Sequence, residues 1–438
     1  MLSGRLEPNI ARIFQAMLNV AFLRKTFGCL VLIVPMVAMA QPLPPAGLVD
    51  ILKERTQSAE IFNKLLRGEI EYDSKKKEHA QAVDVNARFY AYRVSQPDIQ
   101  QEPGKLDTVF REYESILRQL RTRPNNAFNT NFLSRILERS KEVLPNAVPV
   151  ARINAVRMQS MVPVELNTCD ILGQRTLPEQ LMDNFVNVVE KAPDDGMRLY
   201  ALKGIRETYR ALRPMAVVKK SSDRVFLKPE IETKVAEALV KIIETPKNYA
   251  ADASPDIIEG YRVLRREAIK ALAQSRVPMP SEKAKTAYLL SKMATGADVK
   301  PEPRFDERVE AAIGLLNMRP QQNDANEFNL EADLYAFGVF LVEFFQKFTT
   351  RNENDLEKLL PWKIYAARMN DSLDSLKQEV KNPYLDEMFS KVVGGLNDLE
   401  KTEKGSVPQL NTFLQAKQPA SLLIYKKVAG SEVKALGN

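Results

Sequence analysis

The sequence holds few of the residues on which metal, redox and many hydrolytic sites depend. Its 438 residues include one histidine, two cysteines and one tryptophan. A single histidine excludes the usual histidine-based catalytic triads, and so few histidines and cysteines argue against nearly all zinc sites. Cys29 falls in an N-terminal apolar run, which leaves Cys169 alone in the rest of the chain, without an intrachain disulfide partner. We expect Cys169 to be a small buried hydrophobe.

Motifs with a defined chemistry are also missing. With 17 glycines, a fold rich in sheets and tight turns is disfavoured. The chain has no glycine-rich phosphate loop, no nucleophile elbow and no paired Cys-x-x-Cys. A pair of carboxylates acting as acid and base stays open, because 56 acidic residues always allow one. The sequence therefore predicts no catalytic residue, no metal ligand and no cofactor.

The charge of the chain is modest. The formal net charge is +7, and part of it lies in the first 40 residues. Spread over a chain of this length, the remaining charge does not by itself indicate nucleic acid binding. We expect a protein partner and no nucleic acid.

The N-terminus has the pattern of a secretory signal peptide. Arg24 and Lys25 precede an uncharged run at 26–40, which ends in Ala38-Met39-Ala40, the small-x-small pattern that signal peptidase accepts. The run is shorter than the ~20 residues that span a bilayer, and Pro35 interrupts it. Cleavage is therefore favoured over a retained membrane anchor.

The signal peptide prediction sets the expected location of the mature chain. Residues 1–40 would be removed by cleavage after Ala40, and the mature protein would begin at Gln41. Met17 stands at a conventional distance before the apolar run, so residues 1–16 are an alternative, over-long start. We expect an exported protein, periplasmic or secreted, without a stable membrane span.

Residues 41–127 are predicted to form a helical N-terminal segment that caps the rest of the chain. The stretch at 48–66 reads as one helix, and the stretch at 88–94 fits helix or strand and is taken as helix. His79 follows three lysines and is expected to be solvated. A further helix is marked by an apolar stripe that consists of Leu106, Val109, Phe110, Tyr113, Ile116, Leu117 and Leu120.

From residue 128 to 380 the pattern changes to pairs of helices joined by short turns. Apolar stripes over 132–144 and 231–243 mark the first helix of two such pairs. A second helix at 151–158 follows directly after the first of these stripes. This alternation predicts an array of stacked helix pairs.

Two helix starts and two breaks can also be read within this region. Thr176 and Glu179 have the form of a capping box, in which both side chains satisfy free amides at a helix start. Ser254-Pro255 is a typical opening of a helix. The breaks at 214–228 and 297–303 are the longest, and they are interpreted as insertions rather than domain linkers.

The second helices of these pairs resemble one another. An arginine precedes a small residue that is expected to be buried, and an aliphatic face follows, in the segments 148–156, 194–202, 265–272 and 306–313. A weaker match at 361–367 has Lys363 in place of the arginine. In this pattern the chain resembles the HEAT repeat family. The small residues are Ala155, Ala201, Ala268, Ala311 and Ala366. Two of their four intervals match the family's period of about 40 to 47 residues, and two need insertions. The resemblance implies an all-α fold in which helix pairs stack into an α-α superhelix, a HEAT-like solenoid.

Basic residues concentrate on two of these second helices. Four share a narrow sector of a predicted helix at 196–212, with spacing i, i+3, i+7 and i+10: Lys203, Arg206, Arg210 and Arg213. Three cluster on the equivalent helix of the next pair: Arg262, Arg265 and Arg266. The resemblance would place both groups on a common concave face, where they are the candidate binding residues for an acidic partner. The alternative is an ordinary solvated face, in which residues such as Glu207 and Glu267 neutralise the bases.

The last part of the chain contains one unusually apolar helix. The stretch at 334–345 is apolar on all sides and is expected to be buried all round. Residues 381–438 are predicted as a C-terminal helix and tail.

Scaffolding is the function that the sequence favours. An exported helical array offers an extended surface for a protein partner, and no catalytic constellation is visible. The alternative is a carboxylate-based enzyme of a HEAT-related kind, resembling the phycobilin-lyase-type repeats. A third class, nucleic acid binding by a basic array, fits poorly with export.

Overall fold

Helices make up the regular structure of the described chain, apart from an isolated bridge between Ser281 and Ala284. The computed structural model describes residues 48–122, 125–169, 176–218, 227–244, 254–296, 299–319, 329–351, 360–401 and 406–417. These residues belong to one unit, which the contacts delimit as Pro42–Asn438. The predicted all-α class is confirmed for them.

The helices follow one another with short connections. The N-terminal ones are α1 (Leu48–Leu66), α2 (Lys77–Arg93), α3 (Pro97–Gln101) and α4 (Pro103–Thr122). The central ones are α5 (Asn126–Lys141), α6 (Pro149–Met161), α7 (Thr176–Lys191), α8 (Asp195–Val218), α9 (Pro229–Glu244), α10 (Pro255–Leu272), α11 (Thr286–Thr295), α12 (Phe305–Asn317), α13 (Leu330–Thr350) and α14 (Trp362–Glu379). The C-terminal ones are α15 (Pro383–Asn397) and α16 (Ser406–Ala416). Short 3-10 helices lie at Val162–Thr168 and Leu399–Lys401.

The central helices pack in two rows. The first row consists of α5, α7, α9, α11 and α13, and the second row consists of α6, α8, α10, α12 and α14. Within each row every helix contacts the next one, and the two helices of each pair from α5–α6 to α11–α12 also contact each other. This is the pairwise packing that the alternating apolar stripes predict.

Further helices cover both ends of the two rows. At the N-terminal end α1 packs on α2 and α2 packs on α5, while α4 contacts the 3-10 helix Val162–Thr168. At the C-terminal end α15 packs on α13 and α14, and α16 packs on α13 and α15. The C-terminal prediction was wrong in its count, because the segment from 381 holds two α-helices instead of one. Residues 418–438 lie outside the described part.

Small residues let the helices approach closely. The five alanines that the repeat pattern singled out are buried, one on each helix of the second row: Ala155, Ala201, Ala268, Ala311 and Ala366. Gly204 of α8 serves the same purpose, since a Cβ there would lie 2.4 Å from the ring of Phe185 on α7. The pattern therefore located the helix faces that pack, which is information about the fold.

Several local predictions are confirmed. Helix α1 covers the predicted range, and the stretch at 88–94 belongs to α2 up to Arg93, so the helical interpretation was right. Cys169 is buried. Ser254 caps α10, with its side chain accepting a hydrogen bond from the amide of Asp256 at 3.3 Å.

The prediction for His79 was wrong. Its side chain is buried, with 3% exposure, although three lysines precede it. The Nδ1 atom accepts a hydrogen bond from the amide of Asp73 at 3.1 Å, and the ring lies 6.2 Å from that of Tyr72. The histidine therefore secures the turn before α2 instead of facing solvent.

Three other predictions need adjustment. Helix α7 begins at Thr176, where the capping box was predicted. The Glu179 carboxylate, which was expected to contribute to that capping box, accepts a hydrogen bond from Lys228 Nζ at 2.9 Å. Helix α8 continues to Val218, so the break expected from residue 214 starts later, and 219–226 lie outside the described residues. The apolar helix α13 is buried on most of its surface, but not all round, because Val339 is 39% exposed.

A fully buried ion pair joins α10 to α12. Arg265 and Glu307 have 0% and 1% exposed side chains, with N–O distances of 2.6 and 2.9 Å. Arg265 also donates to the carbonyl of Pro301 at 2.7 Å, and Glu307 accepts from the amide of Arg304 at 2.8 Å. Buried charges are tolerated only when paired and hydrogen-bonded in this way.

We predict that Arg265→Met lowers the free energy of unfolding by about 3–5 kcal/mol, because it leaves the Glu307 carboxylate buried without a counter-charge. Adding Glu307→Gln removes that charge and keeps an acceptor for the Arg304 amide, so the double variant should be less destabilised than the single one. Urea unfolding followed by circular dichroism measures both.

The matched control is Arg135→Met, since Arg135 pairs with Glu138 at the surface and is 47% exposed. Its effect should stay within about 0.5 kcal/mol. Equal stability of the Arg265 and Arg135 variants would show that the buried pair is not needed.

Candidate functional site

Ion pairs between arginines and carboxylates connect neighbouring helices of the second row. Four pairs share this chemistry: Arg152–Asp194, Arg206–Glu267, Arg266–Asp306 and Arg368–Glu310. The last three have N–O distances of 2.8, 2.6 and 2.6 Å. Together with Arg265–Glu307, these pairs form what we call the arginine–carboxylate ladder. The ladder neutralises much of the positive charge that the sequence suggested as a binding face.

The predicted basic residues of α10 belong largely to this ladder. Arg265 was proposed as a surface residue, but it lies in the interior against Glu307 and is unable to contact a partner. Arg266 is paired with Asp306. Arg262 reaches the carbonyl of Glu302 at 3.5 Å, and its buried Nε has no hydrogen-bond partner among the described residues. This group is therefore not an open cationic patch.

The predicted residues of α8 differ in their surroundings. Arg206 lies between two carboxylates, at 3.0 Å from Glu207 and 2.8 Å from Glu267. Arg210 is 59% exposed and contacts Glu207 at 3.2 Å. Arg213 lies on the described backbone of α8, but its side chain is outside the described part. The neutralising role that the sequence allowed for Glu207 and Glu267 is present in the structure.

Lys203 has no ion pair with any carboxylate of the described residues. Its Nζ atom lies 5.1 Å from the centre of the Tyr200 ring, and its side chain is half-buried. Burial lowers the pKa of Lys203 below the ordinary lysine value. The carboxylate of Glu267 opposes this lowering of the pKa, whereas the charges of Arg206, Lys270 and Arg157 add to it.

A groove of about 480 Å³ opens along α8, α10, α12 and α14. Its charged lining consists of Arg206, Arg210, Lys270, Glu310, Arg368 and Asp371. Gln274, Asn317 and Ser372 add neutral polar groups, and Ile313 contributes apolar surface. Glu267 contacts two of these charged residues, Arg206 and Lys270. Burial alone would raise the pKa of the Glu267 carboxylate, but the charges of Lys270 and Arg206 hold that pKa below its ordinary value. The groove therefore presents charged groups of both signs.

Sequence reasoning missed the cations that share the helix position of Lys203, two of which, Lys270 and Arg368, line the groove. Each follows one of the anchoring alanines by two positions, and we call this set the basic column: Arg157, Lys203, Lys270 and Arg368. On α12 the equivalent position is Ile313. Aligning the five second helices on their alanines would have revealed the column. The column does not form a charged cluster within any one helix, because each helix contributes a single member.

No group of three or more His, Cys, Asp and Glu side chains in the described ranges could hold a metal ion. The helices that the structure describes also include none with the length and apolarity needed to cross a membrane.

We predict that Lys203 loses its proton at a lower pH than the exposed lysines, because burial disfavours its charged form. Glu267→Gln removes the neighbouring charge that favours the ammonium, so the pKa of Lys203 should fall further. NMR titration of ¹³C-methylated lysines measures this, with the Lys203 signal assigned from a Lys203→Gln variant.

Lys64 is the internal control, because its hydrogen bond to Glu60 raises its pKa. Titration of Lys203 at or above the Lys64 midpoint would contradict the prediction.

Comparison with known proteins supplies no relative. The chain matches no family model, and no curated protein and no solved structure shows a significant match.

Proposed function

We propose that this chain is an exported helical-repeat protein that acts as a protein-interaction scaffold and binds its partner along the second row. The observation that carries the proposal is the groove along α8, α10, α12 and α14, because one surface drawn from four successive helices suits an extended partner. Arg210, which lines the groove and is 59% exposed, and the half-buried Lys203 on the same helix favour acidic groups on that partner.

The lining of the groove favours a protein ligand over a small molecule. Small-molecule sites are mostly apolar cavities with a few polar groups. Here the ratio is reversed, since Ile313 is the apolar member of a lining made otherwise of charged and polar side chains. Charged side chains of a partner fit such a surface better than an apolar ligand does.

We also propose that the two rows form a HEAT-like α-α superhelix. Support comes from the five buried alanines, which occupy equivalent positions on α6, α8, α10, α12 and α14. The contacts between successive helices in each row agree with stacking of helix pairs.

Export is the remaining part of the proposal, and it rests on the signal peptide pattern of residues 24–40, outside the described part. We predict that the mature protein begins at Gln41, which intact-mass measurement of the exported fraction would show. Ala40→Arg removes the small residue at the cleavage point and should retain the precursor. Recovery of an uncleaved wild-type chain from membranes would contradict this part alone.

The scaffold function is tested by cross-linking from each row. A photo-reactive amino acid at Gln274 or Ser372, in the groove, should cross-link one and the same protein, whereas the same group at Arg135 on the first row should not. Ser372→Trp, combined with the reactive group at Gln274, should block the product because the larger side chain fills part of the groove. Products that are equal from both rows, or unaffected by Ser372→Trp, would exclude the groove as the binding surface.

A further inference from the structure

Part of the basic column is left without counter-charges. Arg157 of α6 and Lys203 of α8 form no ion pair with a carboxylate of the described residues, and both are half-buried. Arg157 lies over the ring of Phe110 at 3.9 Å. Lys270, the next member, is paired with Glu267 at 3.0 Å and has a 24% exposed side chain.

The opposite end of the column is neutralised. Arg368 makes a two-point contact with Glu310, with distances of 2.8 and 2.6 Å. Ile313 interrupts the column on α12. Excess positive charge is therefore concentrated on α6, α8 and α10: Arg157 and Lys203 have no ion pair with the described carboxylates, and Lys270 shares Glu267 with Arg206.

The spacing that helix packing predicts for the column fits one kind of extended acidic chain. Packed helices lie about 8–10 Å apart, so equivalent side chains on successive second-row helices repeat at about that distance. In a polyproline II segment every third residue returns to the same face after about 9.3 Å, whereas a β-strand returns after two residues, about 6.6 Å. Carboxylates at every third residue of a polyproline II segment match the column.

We propose that Arg157, Lys203 and Lys270 bind an extended acidic segment of the partner protein, with carboxylates at positions i, i+3 and i+6. This inference rests on the proposed scaffold function and specifies the chemistry of the partner. Lys203 is the central anchor. A ligand carboxylate forms with Lys203 the ion pair that no carboxylate of the described residues forms with it.

Fluorescence anisotropy tests the inference with the full chain and two labelled peptides of the same composition. One consists of three Glu-Pro-Pro repeats, and its isomer has three glutamates followed by six prolines. We expect the repeat peptide to bind at least ~10-fold more tightly than the isomer, as one well-formed charged contact can provide. Binding should weaken as salt rises above ~0.15 M, where screening acts over about 8 Å.

Lys203→Gln should weaken binding of the repeat peptide about tenfold. The change removes a half-buried cation beside Arg206 and Lys270, so the melting temperature should not fall. This separates a binding role from a structural one. If the variant does not fold, Arg157→Gln takes its place. Lys234→Gln is the matched control, because Lys234 lies on α9 of the first row and pairs with Asp183 at 2.5 Å.

Equal affinity for the two peptides, or full affinity in a folded Lys203→Gln variant, would overturn the inference. Equal affinity for a single-stranded oligonucleotide would also overturn it, because the column would then be a general polyanion site. Cross-linking of a partner in the groove without binding of the repeat peptide would reject the inference and retain the scaffold. Failure of both measurements would reject both.

Discussion

The second row depends on the neutralisation of charge between its helices, and the buried pair Arg265–Glu307 is the strongest case. An isolated ion in a protein interior costs several kcal/mol, so neither side chain could occupy its position without the other. The pair also satisfies the carbonyl of Pro301 and the amide of Arg304, which fixes the chain just before α12. This ion pair thus fixes the position of α12 and satisfies the hydrogen-bonding groups of the backbone just before it.

The ladder and the exposed face both consist of residues at fixed positions relative to the anchoring alanines. Glu267 and Glu310 directly precede the anchoring alanines of α10 and α12, and each accepts an arginine from a neighbouring helix. Members of the basic column follow the alanines by two positions, and two of them, Lys270 and Arg368, contact these acids. Glu310 neutralises Arg368 in this way, whereas Glu267 is shared between Lys270 and Arg206. On α8 the residue before the alanine is Tyr200, which gives Lys203 a ring instead of a carboxylate.

Periodicity in the sequence was sufficient to predict the helices, because each apolar stripe depends on residues within a few turns. It located α1, α4 and the anchoring alanines, and it favoured helix at 88–94. It failed where the deciding partner is distant in sequence. The burial of Arg265 depends on Glu307, on the next second-row helix, and His79 is buried by the turn around Asp73. Of the residues that line the groove, the sequence singled out only Arg206 and Arg210 of α8, since Arg368 becomes their neighbour through packing.

The distribution of charge also explains how the row tolerates unpaired cations. At a separation of about 10 Å, close to the Debye length at moderate ionic strength, repulsion between partly solvated side chains is weak. Arg157 and Lys203 are half-buried, so they retain some solvation, while the Arg157 guanidinium lies over the Phe110 ring and the Lys203 ammonium lies near the Tyr200 ring. A fully buried cation such as Arg265 has no such relief and must be paired. Depth in the row therefore decides whether an equivalent basic residue stabilises the fold or stays available to a partner.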